Sequence, residues 1–265
     1  MWDKYLIRPG NKKFLNYFRI KRFIHKAVCP PGAALKSLLK HILNKSELKL
    51  EIYQEELLKN NVLKEIYLSA VKKGWVPKKC DSYEDRFSNL FRSSANISWF
   101  YALIRELKPK RVVETGTAAG GTTSMILAAL EANNSGKLIS IDLPSEKGKN
   151  TMNWSLPERQ KAGFLVPEQY KYRWELRTGD SKDLLVECLR EEPCDIFIHD
   201  SLHTYEHMIW EYVTAFLNMQ DGKIIISDDV LWNKAWLNFI TNFDLRSFQD
   251  LSNPNIGVTV IKHKE

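Results

Sequence analysis

The spacing of apolar residues changes character near residue 96. Before it, apolar side chains recur at helical spacing. Phe14, Tyr17, Phe18, Phe23 and Ile24 fall close together on a helix over residues 11–28, with cations between them. Cys29, Pro30, Pro31 and Gly32 end that segment, because two prolines cannot continue a helix. Residues 33–43 and 48–71 also read as helices. In the second, Ile52, Leu57, Leu58, Val62, Ile66, Leu68 and Val71 lie near a 3.6-residue period. Gly74 and Pro77 break it. After residue 96 a helix over 97–107 leads into short apolar runs alternating with helical stretches. Strands are expected at 111–115, 137–142, 174–178, 194–199 and 223–227, with helices at 124–132 and 182–191. A final strand pair is expected at 247–251 and 257–262. That alternation predicts an α/β fold: a mostly parallel sheet covered on both faces. The chain thus divides into a helical N-terminal extension, 1–95, and an α/β domain, 96–265. Between the second and third strands, residues 144–173 form a long insertion carrying Lys147, Lys149, Trp154, Arg159, Lys161, Tyr170 and Tyr172. Insertions of this length in a compact domain are usually functional, so a lid or substrate-binding loop is expected there, with surface irregularity as the plain alternative.

Composition narrows the class. The chain has 265 residues, 44% of them hydrophobic, enough for a sizeable core. No apolar run approaches the ~18 residues that suggest a membrane span, and the first ten residues lack the long apolar centre of a leader, so a cytoplasmic protein is expected. Cys29, Cys80, Cys188 and Cys194 contain no C-x-x-C pair and read as reduced thiols. The net charge of +7 is uneven: in residues 1–50 Asp3 and Glu47 are the only carboxylates. A solvated basic face is the simplest reading. An acidic substrate, an anionic membrane surface touched peripherally, and nucleic acid are the other partners such charge attracts. No nucleic-acid-binding motif accompanies the charge, and none is expected to bind. The aromatic stripe of 11–28 fits packing on the protein's own core or on a second copy better than a membrane.

The first strand runs into Gly116, Gly120 and Gly121, a turn in which the backbone can lie against a ligand. Thr122 stands where a P-loop needs lysine, and Gly116-Thr117-Ala118 does not supply the dinucleotide fingerprint. What remains is Glu-x-Gly-x-x-x-Gly with Glu114 at the strand end, and this resembles motif I of the class I S-adenosylmethionine (SAM) methyltransferases. The resemblance covers about residues 95–262. It implies a Rossmann-like sheet of seven strands with the last reversed, and SAM held by Glu114, Gly116, Thr117, Gly120 and Thr122. The helical extension would then sit near the mouth of the cofactor site and help select the substrate.

Binding sites in open α/β sheets lie at the carboxyl ends of the strands, where Glu114, Asp142, Asp180, Asp200, Asp228 and Asp229 are all expected. Crowded anions raise one another's pKa unless a cation sits among them. Asp142 suits the two ribose hydroxyls of an adenosine, and Asp180 with Ser181 would contact its adenine, although Asp-Ser is equally a helix N-cap. The stretch from His199 to His203, His-Asp-Ser-x-His, is followed at the fifth strand by Asp228 and Asp229. This resembles the cation-dependent O-methyltransferases of the catechol and caffeoyl-coenzyme A type, and bacterial relatives acting on sugars and natural products. The resemblance implies Mg²⁺ or another divalent ion held by Asp200, Asp228 and Asp229, the last standing where the family has asparagine. His203 falls at the position of the family's catalytic lysine, and a neutral imidazole can take the proton of an acceptor hydroxyl near pH 7. A catalytic role for His203 and Asp200 in O-methylation of a sugar, phenol or other small molecule is therefore expected. A metal-independent reaction using His203, and a SAM-binding docking protein without catalysis, are the alternatives.

Overall fold

The computed structural model describes residues 38, 40, 41, 50–62, 64, 66, 68, 95–144, 156, 160–250 and 253–263. The basic stripe of 11–28, Cys29, Cys80 and, in the insertion, Lys147, Lys149, Trp154 and Arg159 lie outside the described residues. Among the described residues, no helix is long and apolar enough to cross a membrane.

The sheet has seven strands: β1 (Arg111–Thr115), β2 (Lys137–Asp142), β3 (Trp174–Thr178), β4 (Ile196–His199), β5 (Ile224–Ser227), β6 (Ser247–Asp250) and β7 (Asn253–Val260). Their order is β3-β2-β1-β4-β5-β7-β6, with β7 antiparallel to both β5 and β6 and the other pairings parallel. β1 is buried along its whole length. Its side chains alternate between the two faces: Val112 joins one apolar cluster and Val113 the other. The first face is covered by α1 (Leu50–Lys59), α2 (Ala95–Leu107) and α3 (Gly121–Ala132). The second is covered by α4 (Ser181–Glu191), α5 (Tyr205–Asn218) and α6 (Ala235–Asn242). Strand order reverses between β1 and β4, so a crevice opens at the carboxyl ends of those two strands.

The helix expected over 48–71 is interrupted at Asn60. Its side-chain oxygen accepts from the Val62 N–H at 3.1 Å, and helical backbone resumes at Asn61. An asparagine that bonds its own backbone two residues on competes with the continuing helix. α1 docks through Glu56, which takes two hydrogen bonds from Arg105 and one from the Tyr101 hydroxyl, and through buried Leu57. Beyond Asn60, Ile66 packs on Ala119 and Leu165.

The far end of the insertion is ordered against the glycine turn. Gly163 and Leu165 donate their N–H groups to the carbonyls of Ala118 and Ala119 at 2.8 and 2.9 Å. A 3₁₀ helix, Glu168–Arg173, then leads into β3.

Candidate active site

The glycine turn is built for contact with its neighbours. Gly116 has φ +85°, and a Cβ there would stand 1.9 Å from the Asp200 carbonyl oxygen. Gly120 has φ +90°, and a Cβ there would lie 2.9 Å from both the Gly163 Cα and a Val166 methyl. Only glycine satisfies both the left-handed backbone and the close approach. The first turn therefore rests on the β4 turn, and its far side rests on the insertion.

Two acids brace the turn. Glu114 is 2% exposed, and its Oε1 accepts from the hydroxyls of Thr123 and Ser140, each at 2.6 Å. Burial drives its pKa to about 7, against the pull of those two hydroxyls. Expected to face the cofactor, it is instead drawn into the sheet, because only there does its carboxyl meet two buried donors. Asp142 holds the N–H groups of Thr117 and Ala118 on Oδ2 at 2.9 and 2.8 Å, and that of Leu143 on Oδ1. It is half-buried at the end of β2. Thr122 is half-buried in the first turn of α3. The Thr117 side chain differs from all of these: its Oγ1 is buried and has no hydrogen-bond partner among the described residues. A buried donor left unmade is costly, and this one lies inside the glycine turn.

Of the other two expected cofactor residues, Asp180 is a helix cap and Ser181 bonds within the fold. Asp180 is exposed and N-caps α4, its side chain accepting from the Lys182 N–H at 2.9 Å. Ser181 is buried and bonds His207 at 3.2 Å, so its hydroxyl is turned away from the rim.

Across the crevice stand Asp200, His203, Asp228 and Asp229. The β4 turn is fixed by the Asp200 N–H on the Thr115 carbonyl, and the β5 turn by the Asp228 N–H on the His199 carbonyl. Asp229 adopts φ +50°, and its backbone carbonyl accepts from the Trp232 N–H. His203 lies between two carboxylates, with Nε2 3.9 Å from Asp200 Oδ1 and Nδ1 3.9 Å from Asp229 Oδ2. Both distances exceed a hydrogen bond. The His203 side chain is 9% exposed, and its Nε2 has no partner among the described residues. Burial, then the neighbouring His199, lower its pKa to about 4, so the ring is neutral at pH 7. The exposed Trp232 ring stands 5.3 Å from it.

In the rim acids burial outweighs the bonds that favour the charge, which are the Asp229 N–H on Asp228 and the Trp232 and Asn255 side chains on Asp229. Burial, then the Asp228 carboxylate, raise Asp200 well above the ordinary range, with Glu114, Asp229 and Asp142 adding to the effect. Burial also raises Asp228, and burial with Asp228 raises Asp229 to about 6. Their charges feel one another, yet they are not disposed as an ion's ligand set. Among the described residues no group of three or more His, Cys, Asp or Glu could hold a metal. Asp229 is turned by its left-handed backbone toward Asn255, which donates to its Oδ1 at 3.4 Å, and toward His203. That departs from the expected metal site.

Sequence reasoning passed over Glu211. It lies mid-helix in α5, wholly buried, four residues after His207. It holds His199 Nδ1 at 2.6 Å and His207 Nε2 at 2.9 Å. The detectable signal was an acid in an otherwise apolar helix at the i,i+4 position from a histidine.

Residues 113–230 match the family model of a methyltransferase domain. No curated protein matches the sequence. Among solved structures, cofactor-bound Rv0187 from MTB aligns over 88% of this chain and 98% of its own, with 12% identity and a TM-score of 0.51. A putative O-methyltransferase from Klebsiella pneumoniae aligns over 77% and 90%, with 16% identity and a TM-score of 0.50. The SAH-bound methyltransferase PaMTH1 from Podospora anserina aligns over 98% and 99%, with 14% identity and a TM-score of 0.50. At these identities the likeness is one of fold.

Proposed function

We propose that this SAM-dependent methyltransferase delivers its methyl group to a hydroxyl oxygen of a small acceptor, with His203 as the base. The observation that carries the reading is the placement of His203. It is a neutral, nearly buried imidazole with an unpartnered Nε2, held across the crevice from the glycine turn. The fold likeness to a putative O-methyltransferase supports the same acceptor atom.

The residues of the turn fit SAM. The unpartnered Thr117 hydroxyl offers a donor to a carboxylate, and Gly116 and Gly120 keep the backbone bare beside it. Thr122 presents the first turn of α3, and Asp142 fixes the loop that carries Thr117. SAM, when bound, supplies a methyl group on a positively charged sulfur. The rim carboxylates favour that positive charge over a neutral ligand, and one positive charge among them offsets the repulsion that raises Asp200.

On the acceptor side, His203 takes the hydroxyl proton as the oxygen bonds to the methyl carbon. The sulfur–carbon bond breaks, and the products are a methyl ether, S-adenosylhomocysteine and one proton on the imidazole. Asp200 and Asp229, 3.9 Å on either side, stabilise the imidazolium as it forms. Charge on sulfur and oxygen cancels during transfer, so alignment matters more than charge stabilisation. The insertion segment that packs on Ala118 and Ala119 serves as a wall over the cofactor turn, and the helical extension contributes Ile66 to the same wall.

A methyl-transfer assay over phenols, sugars and polyketide alcohols, run on wild type and His203→Gln, tests the reading. Turnover should fall by roughly 10²–10⁴-fold while SAM still binds. Full turnover in His203→Gln would remove the base. A divalent ion at Asp200, Asp228 and Asp229 is the second reading, favoured by the upward push these carboxylates give one another. Their present arrangement does not ligate an ion, and no step above passes through one. Turnover abolished by a chelator and restored by added Mg²⁺, together with its loss in Asp228→Ala, would establish it.

A further inference from the structure

Glu211 has no part in the chemistry above, yet its carboxylate is the best-bonded acid beside the crevice. Oε2 accepts from the Thr115 hydroxyl and His199 Nδ1, both at 2.6 Å. Oε1 accepts from the Ser201 hydroxyl and His207 Nε2, both at 2.9 Å. Four donors fill the lone-pair sites of a carboxylate. Glu211 and His199 are each 0% exposed. Burial pushes the Glu211 pKa upward, but the charges and hydrogen bonds of His199 and His207 outweigh it and hold the group ionised. An ionised carboxylate only accepts, so His199 must present its Nδ1–H. Its Nε2 is then left buried without a partner among the described residues, on a ring 5.3 Å from that of His203.

The donors come from two separate walls of the crevice. Thr115 ends β1 and immediately precedes Gly116. His199 and Ser201 flank Asp200 on the β4 turn. Those walls already touch, with Gly116 against the Asp200 carbonyl and the Asp200 N–H on the Thr115 carbonyl at 2.9 Å. We infer that Glu211 is a positioning residue that clamps the cofactor turn after β1 and the acceptor turn after β4 into one register from beneath. The inference rests on the methyl-transfer reading, since the register it fixes is that of the methyl group against the acceptor oxygen. Misplacement of a reacting pair by an ångström can cost about 10²-fold in rate.

The clamp can be opened from either side. Thr115→Val removes the donor on the cofactor wall, and Ser201→Ala the donor on the acceptor wall. Calorimetric SAM binding and kcat at saturating SAM are measured for each, with Thr115→Ser as the variant that restores the hydroxyl. Thr115→Val should weaken SAM binding about 5–20-fold and, because the bound methyl group then lies out of register, also lower kcat at saturating SAM about tenfold or more. Ser201→Ala should lower kcat about tenfold or more with SAM affinity held within about twofold. Thr115→Ser should match wild type. Glu211→Gln should lose on both counts. A merely structural carboxylate would instead lower both parameters together in Ser201→Ala as well, in step with thermal stability. That pattern, or variants equal to wild type, overturns the inference, and if Thr115→Val does not fold, the Ser201→Ala split decides alone. A wild type that binds no SAM sinks the methyl-transfer reading and the clamp with it. A wild type that binds and turns over, with both variants unchanged, overturns the clamp only.

Discussion

Gly116→Ala perturbs the point where the two walls of the crevice meet. The substituted residue suffers twice. Its backbone sits at φ +85°, a conformation that costs an L-residue about 1–2 kcal/mol. Its Cβ would also stand 1.9 Å from the Asp200 carbonyl oxygen, 2.5 Å from the carbonyl carbon and 2.9 Å from the Ser201 Cα. All three are backbone atoms, so no side chain can rotate away and the β4 turn itself must retreat. Overpacking of this kind costs about 1–3 kcal/mol. The expected loss is therefore about 3 kcal/mol, roughly 6–12 °C in Tm for a chain of this size. Gly222→Ala separates the two contributions. Gly222 has φ +79° but nothing within 4 Å of the would-be Cβ, so it reports the backbone cost alone. Gly121→Ala has neither problem and serves as the neutral control. Scanning calorimetry on the three variants, with and without SAM, is the assay. The order of damage should be Gly116→Ala, then Gly222→Ala, then Gly121→Ala, and SAM should no longer raise the Tm of the first. A Gly116→Ala protein no less stable than Gly222→Ala would refute the argument that the cofactor turn rests on the Asp200 backbone.

Three further outcomes are expected. Thr117→Val should leave stability unchanged or raise it by about 0.5–1 kcal/mol, because it removes a buried hydroxyl without a partner, while weakening SAM binding severalfold; calorimetry of folding and of binding should therefore move in opposite directions. His203 is depressed to about 4, so the neutral base persists well below the ~6.5 of a free imidazole, and the acid limb of kcat/KM should fall near pH 4; a limb near 6.5 would contradict the burial argument. Glu114 has a folded pKa of about 7, above its ordinary 4.5, so its contribution is complete below about pH 4.5 and is lost as pH rises through 7; urea denaturation should show wild type losing about 3 kcal/mol relative to Glu114→Gln between pH 4.5 and pH 8.

Much of the sheet was readable because its strands obey local rules. The runs at 111–115, 137–142 and 174–178 are the strands β1, β2 and β3 to the residue. They are short, apolar or alternating, and bounded by glycine or charge, and nothing tertiary competes with those signals. The helix after the glycine turn begins at Gly121, not at 124, because Gly120 acts as its N-cap with no side chain to announce it. The break at Asn60 was missed because the apolar period runs straight across it, whereas the competing bond is made by a polar side chain. The rim acids were located by strand ends alone, but their individual duties were not. Asp180 caps α4 through a local bond to Lys182, as its sequence neighbourhood allows, but whether Ser181 faces out or toward His207 depends on a contact with α5 that lies far away in sequence. Glu211 was invisible for the same reason: three of its four donors come from strands or turns that only the folded sheet brings to it.

The acids around the crevice fall into two groups by how their charge is met. Asp142 spends its oxygens on loop N–H groups, and Glu211 on two hydroxyls and two imidazoles. Glu114 meets two hydroxyls, too few to offset its burial, and its carboxyl is half neutralised by protonation near pH 7. These three brace the walls through bonds made within the protein itself. Asp200, Asp228 and Asp229 are different: burial pushes each of them upward, repulsion from Asp228 adds to it at Asp200 and Asp229, and His203 between two of them stays neutral. A fold that only needed stability would gain from replacing them with neutral side chains, since a partly buried charge whose bonds do not offset its desolvation is a cost without return. Their retention in the folded chain, facing a turn that also leaves the Thr117 hydroxyl without a partner, makes sense if the missing positive charge arrives with the ligand. The binding energy of a cationic donor would then be largest where the free protein is most strained. It follows that a neutral thioether such as S-adenosylhomocysteine should bind less tightly than SAM at pH 8, with the gap narrowing toward pH 5 as Asp229, raised to about 6, takes up its proton. Equal affinities at both pH values would mean that the acids serve the acceptor side alone.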